Sequence, residues 1–321
     1  MTKQKVYATR ARVPEAIELL QTLFEVEVWP ETTPPPREVV IDKASKCHAI
    51  MTEVDDQIDE EILEAGKGNL QVIANRGVGY NNIDVEAATS RNITITNTPG
   101  ILADSCADMT FALILSIARK VAFGDRAVRN GKWTVFDQVP YLGTDVYGKK
   151  LGIIGLGDIG EKVVKRSIGF DMDVFYHSRT AKTELEEKYR VTRLGFEEVL
   201  STCDYVSLHV PLSPETEQMI SSRELAMMRK ESFLINMSRG PTVDLDALHS
   251  ALEAGQIAGA AIDVTEPEPI PIDHPIVNNE NIVITPHIGS ASKATFTAMG
   301  VAAANNIVAA LQNKPIPSRV N

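Results

Sequence analysis

The stretch Leu151-Gly152-Ile153-Ile154-Gly155-Leu156-Gly157-Asp158-Ile159-Gly160-Glu161-Lys162-Val163-Val164-Lys165 decides the reading of this chain. Its first four residues read as a buried strand, and Glu161 to Lys165 continue a helix-like run. Between them each glycine has a separate task. Gly155 makes the tight turn, Gly157 lets the backbone approach a pyrophosphate, and Gly160 lets the helix pack closely on the strand. The helix start offers unpaired N–H groups and a favourable dipole to phosphate. A glycine-rich turn alone is common. Strand before and helix after make this one a dinucleotide loop, carried by Gly155, Gly157, Asp158, Ile159 and Gly160.

The next strand-like run ends in Val174-Phe175-Tyr176-His177 and is followed by Ser178-Arg179-Thr180. An NAD site usually has a carboxylate here to hold the ribose 2′-hydroxyl. Ser178 stands in that place, and Arg179 follows it. A carboxylate would repel a 2′-phosphate, whereas a guanidinium binds it through charge-assisted hydrogen bonds. The pattern points to NADP as the preferred cofactor, with NAD as the alternative.

Further strands are expected at 205–208, 233–236, 259–263 and 282–285. Before the loop, strands are expected at 5–9, 26–29, 48–51 and 70–74. A helix is expected to begin at Pro14 with Ile17, Leu19, Leu20 and Leu23 on its apolar side. Pro34-Pro35-Pro36 punctuates a loop. Residues 105–121 read as one long, largely apolar crossover helix, and the small apolar tail after Ser290 as a last helix. This alternation implies parallel sheets covered by helices.

With 321 residues the chain has room for two domains. A net charge of −11, with both signs mixed along the chain, argues against a nucleic-acid or anionic-membrane surface. No apolar run approaches the ~20 residues of a membrane span. The start, Met1-Thr2-Lys3-Gln4-Lys5-Val6, shows no signal-peptide core. Cys47, Cys106 and Cys203 are far apart and odd in number, so they read as buried thiols of a reducing cytoplasm rather than a disulfide framework. No His, Asp or Glu pair has metal-ligand spacing, and no metal is expected.

Three segments follow expected strand ends, where open α/β sheets place their ligands. They are Asn236-Met237-Ser238-Arg239-Gly240, Asp263-Val264-Thr265-Glu266-Pro267-Glu268-Pro269 and Thr285-Pro286-His287-Ile288-Gly289-Ser290. One Arg, one Glu and one His supply an anion clamp, a carboxylate that orients, and a proton carrier. Carbonyl reduction on a carboxylate-bearing substrate needs those parts.

Together with Gly77-Val78-Gly79-Tyr80-Asn81-Asn82-Ile83-Asp84 and Thr98-Pro99-Gly100, these motifs resemble the D-isomer-specific 2-hydroxyacid dehydrogenase family, close to glyoxylate/hydroxypyruvate reductases. The resemblance runs over nearly the whole chain. It implies two Rossmann-like or flavodoxin-like domains, with the active site in the cleft between them. Residues 1–97 plus 288–321 would form the substrate domain and 98–287 the NAD(P)-binding domain. A homodimer is implied as well, with the apolar 105–121 segment facing the partner.

Carried over by motif, Arg239 would grip the substrate carboxylate and help polarise the keto oxygen, a task suited to its planar fork. His287 would be the general acid, and Glu268 would hold its imidazole and favour the charged form. Asp263 would bind the nicotinamide carboxamide. The Val78 and Gly79 backbone N–H groups would complete the carboxylate site. Ser178, Arg179 and Thr180 would surround the adenosine ribose, Val210 and Pro211 would line the adenine side, and Met237 and Gly289 would lie on the cofactor side.

Blander readings compete. Glu266 rivals Glu268, though the Glu-Pro spacing from Asp263 favours Glu268; a turn cap is the minority reading of Asp263, and His209 reads as a structural or cleft-lining residue. His48, His249 and His274 have no motif support. Asn81 stands where the family more often has Asp, Thr265 where an aromatic is common, and Phe136 where related reductases carry a pocket Trp. The implied reaction is reduction of glyoxylate, hydroxypyruvate or a similar 2-keto acid. The runners-up are phosphoglycerate dehydrogenase, D-lactate dehydrogenase, 2-ketogluconate reductase and a dinucleotide-sensing corepressor.

Overall fold

The computed structural model describes residues 3–321; Met1 and Thr2, part of the expected leaderless start, lie outside them. The chain divides into two compact units, Met1–Leu102 with Ser292–Asn321, and Ala103–Ala291.

The first unit runs β1 (Lys5–Ala8), α1 (Pro14–Leu23), β2 (Glu25–Val28), α2 (Arg37–Lys46), β3 (Ala49–Thr52), α3 (Glu60–Ala65), β4 (Val72–Asn75), α4 (Val85–Ser90) and β5 (Thr94–Thr96). The five strands are parallel in the order β2-β1-β3-β4-β5. That is the flavodoxin-like doubly wound order. β3 and β4 are buried at every position, as strands covered on both faces must be. One face packs on α1 and the last helix, the other on α2, α3 and α4.

Two expectations for this unit need correction. Leu23 is 39% exposed, and the buried side of α1 is Ala16, Ile17 and Leu20. An apolar run of near-spanning length does exist: α12 (Lys293–Leu311) has 19 residues and is apolar enough to cross a membrane by length and composition. Its place explains its composition. Met299, Ala303, Ala304, Ile307 and Leu311 are buried, and small alanines let the helix lie close on the sheet and α1. Asn306, buried within it, donates to the Asn97 carbonyl and Ser318 Oγ.

The second unit contains α5 (Ala103–Ala118), α6 (Val121–Arg129), β6 (Lys150–Ile154), α7 (Asp158–Ser167), β7 (Asp173–His177), α8 (Thr183–Tyr189), β8 (Thr192–Arg193), α9 (Phe196–Thr202), β9 (Tyr205–Leu208), α10 (Ser222–Met227), β10 (Phe233–Asn236), α11 (Leu245–Glu253), β11 (Gly259–Ile262) and β12 (Ile282–Ile284). Its seven parallel strands lie in the order β12-β11-β10-β9-β6-β7-β8. Counted from β6 this is 3-2-1-4-5-6 with one strand added, the Rossmann winding. Its switch point lies between β6 and β9, where the chain leaves β6 into the glycine loop.

The expected single crossover helix is broken. Lys120 takes a left-handed φ of 53° between α5 and α6, which no apolar periodicity reports. α5 is spent on its own unit, with Phe111, Leu113, Ile114 and Ile117 buried. The exposed apolar residues lie beyond it instead, including Val128, Trp133, Val135, Phe136 and Val139.

Candidate active site

The three loop glycines have distinct surroundings. Gly155 has a φ of 96°, and a Cβ there would lie 2.8 Å from the His209 backbone. A Cβ on Gly160 would lie 2.7 Å from the Gly155 carbonyl oxygen, which is the close helix–strand approach. A Cβ on Gly157 would meet nothing within 4 Å, so its backbone faces open space. Gly157 is also the N-cap of the ten-residue α7, with no side-chain cap, and leaves the first-turn N–H groups to a ligand. The residues present fit a dinucleotide pyrophosphate. Ile159 packs partly on the core, while Asp158 is exposed.

Around the end of β7, Ser178 Oγ donates to the Thr180 carbonyl at 2.6 Å and shapes the turn. Arg179 is exposed. Sequence reading missed Arg193 on β8, whose Nη2 donates to the Ser178 and Arg179 carbonyls at 3.0 and 3.2 Å. Only the β7–β8 pairing, Tyr176 with Arg193, brings it there. Val210 and Pro211 follow β9, with Val210 Cγ1 beside Gly155. His209 is desolvated and uncharged: burial lowers its pKa from 6.5 to about 3, and its Nε2 meets Ser207 Oγ at 2.8 Å.

The catalytic candidates converge at the ends of β10, β11 and β12. Arg239 has extended backbone, and its Nη1 donates to the Ser238 carbonyl at 2.8 Å. Asn236 braces this turn, accepting from Ser238 N and Oγ and donating to the Arg239 carbonyl. Gly240 must be glycine, since a Cβ would lie 1.9 Å from the Thr265 carbonyl oxygen. Burial lowers the Arg239 pKa from its usual value, and the charge of Glu268 opposes that shift.

His287 Nδ1 lies 3.0 Å from Glu268 Oε2, so Glu268, not Glu266, is the imidazole's partner. His287 itself is held at a left-handed φ of 54°, unusual outside glycine. Asp263 supplies the restraint. Its Oδ1 accepts from Thr285 Oγ1 at 2.6 Å and Ile288 N at 2.9 Å, and its Oδ2 from Gly289 N at 2.7 Å. The His287 N–H also donates to the Asp263 carbonyl at 2.8 Å. Both carboxylate oxygens are thus occupied by the histidine loop, a tie that sequence reading did not anticipate. A Cβ on Gly289 would meet Met237 Cε, Asp263 Oδ2 and Cys106 Sγ, so glycine permits the close packing. Burial, reinforced by the charge of Asp263, pushes the Cys106 thiol up to about 12, leaving it protonated.

Phe136 is 84% exposed. Val78 and Gly79 lie in the first unit, in the bend after β4. No group of three or more His, Cys, Asp or Glu side chains suited to a metal occurs among the described residues.

The Rossmann winding, the glycine loop at its switch point and the Arg–Glu–His cluster define a nicotinamide-dependent oxidoreductase. The family model described as D-isomer specific 2-hydroxyacid dehydrogenase, NAD binding domain, matches residues 111–289. The chain belongs to that family. A glyoxylate reductase from Pyrococcus horikoshii is 43% identical over 324 residues, covering 99% of this chain and 96% of its own. The TT0316 protein of Thermus thermophilus superposes with a TM-score of 0.93 at 38% identity, covering 99% of this chain and 100% of its own. An NADPH-dependent glyoxylate/hydroxypyruvate reductase from Sinorhizobium meliloti, solved with NADP and malonate, gives a TM-score of 0.87 at 27% identity, covering 99% and 97%.

Proposed function

We propose that the protein reduces a small 2-keto acid of the glyoxylate or hydroxypyruvate type to the D-2-hydroxy acid, with NADPH as preferred reductant. The observation that carries this reading is the 3.0 Å His287–Glu268 pair on a loop anchored by Asp263, with the Arg239 charge nearby.

The Arg239 fork grips the substrate carboxylate and polarises the keto oxygen. Glu268 accepts from Nδ1–H of His287, which fixes the tautomer and leaves Nε2–H to donate its proton to the keto oxygen. A nicotinamide cofactor held on the Gly155–Gly160 loop would supply the hydride to the keto carbon. His287 supplies the proton to the oxygen and then recovers one from solvent.

NADPH preference rests on Arg179 in place of a ribose-binding carboxylate, with Arg193 as a second guanidinium beside that turn. Wild-type kcat/KM for glyoxylate and hydroxypyruvate is expected to be higher with NADPH than with NADH. Arg179→Ala should lower the NADPH value by about tenfold or more, the worth of a charged hydrogen bond, and leave the NADH value nearly unchanged. Equal losses with both cofactors would remove Arg179 from the phosphate site.

The protein is also read as a cytoplasmic homodimer. Three buried free thiols suit a reducing compartment, and the exposed apolar residues between Val121 and Leu142 suit a partner copy.

A further inference from the structure

His287 holds a backbone conformation that a histidine does not adopt unaided, with φ at 54°. The Cα–Cβ direction turns with the backbone, so the 3.0 Å contact between His287 Nδ1 and Glu268 Oε2 depends on keeping that conformation. The two peptide planes flanking His287 set it, and they are held differently. The plane before His287 is fixed by its own N–H, which donates to the Asp263 backbone carbonyl at 2.8 Å. The plane after it is fixed through the Asp263 side chain, where Ile288 N donates to Oδ1 at 2.9 Å and Gly289 N to Oδ2 at 2.7 Å. That second plane is therefore only as well placed as the carboxylate.

Asp263 is 2% exposed, and its charge is met by three neutral donors. Two of them, Ile288 N and Gly289 N, belong to the loop that has to be placed, so they cannot orient the carboxylate independently. The third can. Thr285 Oγ1 donates to Oδ1 at 2.6 Å, and Thr285 is itself tied to the sheet, its N–H donating to the Ile262 carbonyl at 2.9 Å. An Asp carboxylate turns easily about χ2. One short, charge-assisted bond from a fixed donor chooses which oxygen faces Ile288 and which faces Gly289. The far end of the loop has separate ties. Ser105 Oγ on α5 donates to the Gly289 carbonyl at 3.1 Å, and Ala291 N to the Ile288 carbonyl at 2.9 Å. Loss of the Thr285 bond thus loosens the His287 end of the loop and leaves the rest attached.

We infer, on the 2-keto-acid reading, that Thr285 is a positioning residue for the reaction: through Asp263 it holds the peptide plane after His287 and keeps the imidazole against Glu268. It acts through Asp263 and not on the reacting atoms.

The test uses Thr285→Val, which removes the hydroxyl at similar volume, and Thr285→Ser, which keeps it. The measurements are kcat and KM for glyoxylate at saturating NADPH, Tm, the same kcat in a His287→Asn background, and a crystal structure of Thr285→Val. Thr285→Val should lower kcat by about tenfold or more, the worth of one hydrogen bond to a charged group, with KM and Tm near wild type. Thr285→Ser should restore kcat. In the His287→Asn background the valine should cost almost nothing, because its effect travels through the imidazole. In the variant structure the His287–Glu268 contact should open beyond hydrogen-bond distance. Wild-type kcat in Thr285→Val would overturn the inference. So would an undiminished loss in the His287→Asn background, a parallel fall in Tm, or an unchanged His287–Glu268 contact. A wild-type protein that reduces no 2-keto acid would remove the functional reading instead, and the contact in the variant structure would still decide whether Thr285 places His287.

Discussion

His287→Ala is expected to lower kcat for 2-keto-acid reduction by about 10³-fold, within the range of a lost general acid, while cofactor binding is kept. The geometry isolates the effect. Asp263 holds the loop through the backbone N–H groups of Ile288 and Gly289, not through the imidazole, so the loop stays anchored when the ring is removed. Alanine tolerates the φ of 54° poorly, and His287→Asn is the companion variant because asparagine accepts left-handed backbone. Both variants lose the proton carrier, and both should be equally slow. Turnover near wild type in either variant would remove His287 as the acid.

Arg239→Lys is expected to cost about 10²-fold or more in kcat/KM, because one ammonium cannot reproduce two parallel N–H···O bonds. The position magnifies the loss. Arg239 is held by Ser238 and Asn236 and desolvated by burial, so a lysine there has a shorter reach to the substrate and no fork. The loss should fall on both KM and kcat, since the same guanidinium binds the carboxylate and polarises the keto oxygen. A substrate panel should show every 2-keto acid affected alike. A variant with wild-type kcat/KM would show that Arg239 is a structural cation.

What the sequence makes legible follows from the range of the interactions. The glycine loop, the β6–α7 turn and the longer strands of both sheets are local patterns, and they fall within a residue or two of their expected ends. Thr9, Asp263 and Thr285 lie one residue past the strand ends, each still donating its backbone N–H to the neighbouring strand while the side chains bond, Thr9 to Asp56 and Thr285 to Asp263. The break at Lys120 is a backbone conformation rather than a composition, and the pattern of apolar residues runs through it. α2 begins directly after Pro36, where a proline run reads as loop although its last residue can precede a helix. β5 and β8 are too short for any periodicity.

The site divides in the same way. Arg239, Glu268 and His287 stand in motifs at strand ends, and those local motifs make them legible as candidates. The choice between Glu268 and Glu266 was left to spacing, because both lie in one Glu-Pro-Glu-Pro run; the 3.0 Å contact decides it. Asp263 was read for the cofactor because the motif suggests that. Its three bonds to residues 22 to 26 positions away give it a second task that no local pattern records. Arg193 is placed beside Ser178 and Arg179 by sheet pairing, which no local pattern records either.

The most direct test of the central claim is the reaction of hydroxypyruvate with NADPH and wild-type protein, followed by chiral analysis of the glycerate formed. The account predicts NADPH oxidation in step with the appearance of D-glycerate. Formation of L-glycerate, or no oxidation of NADPH or NADH with any small 2-keto acid, would contradict it.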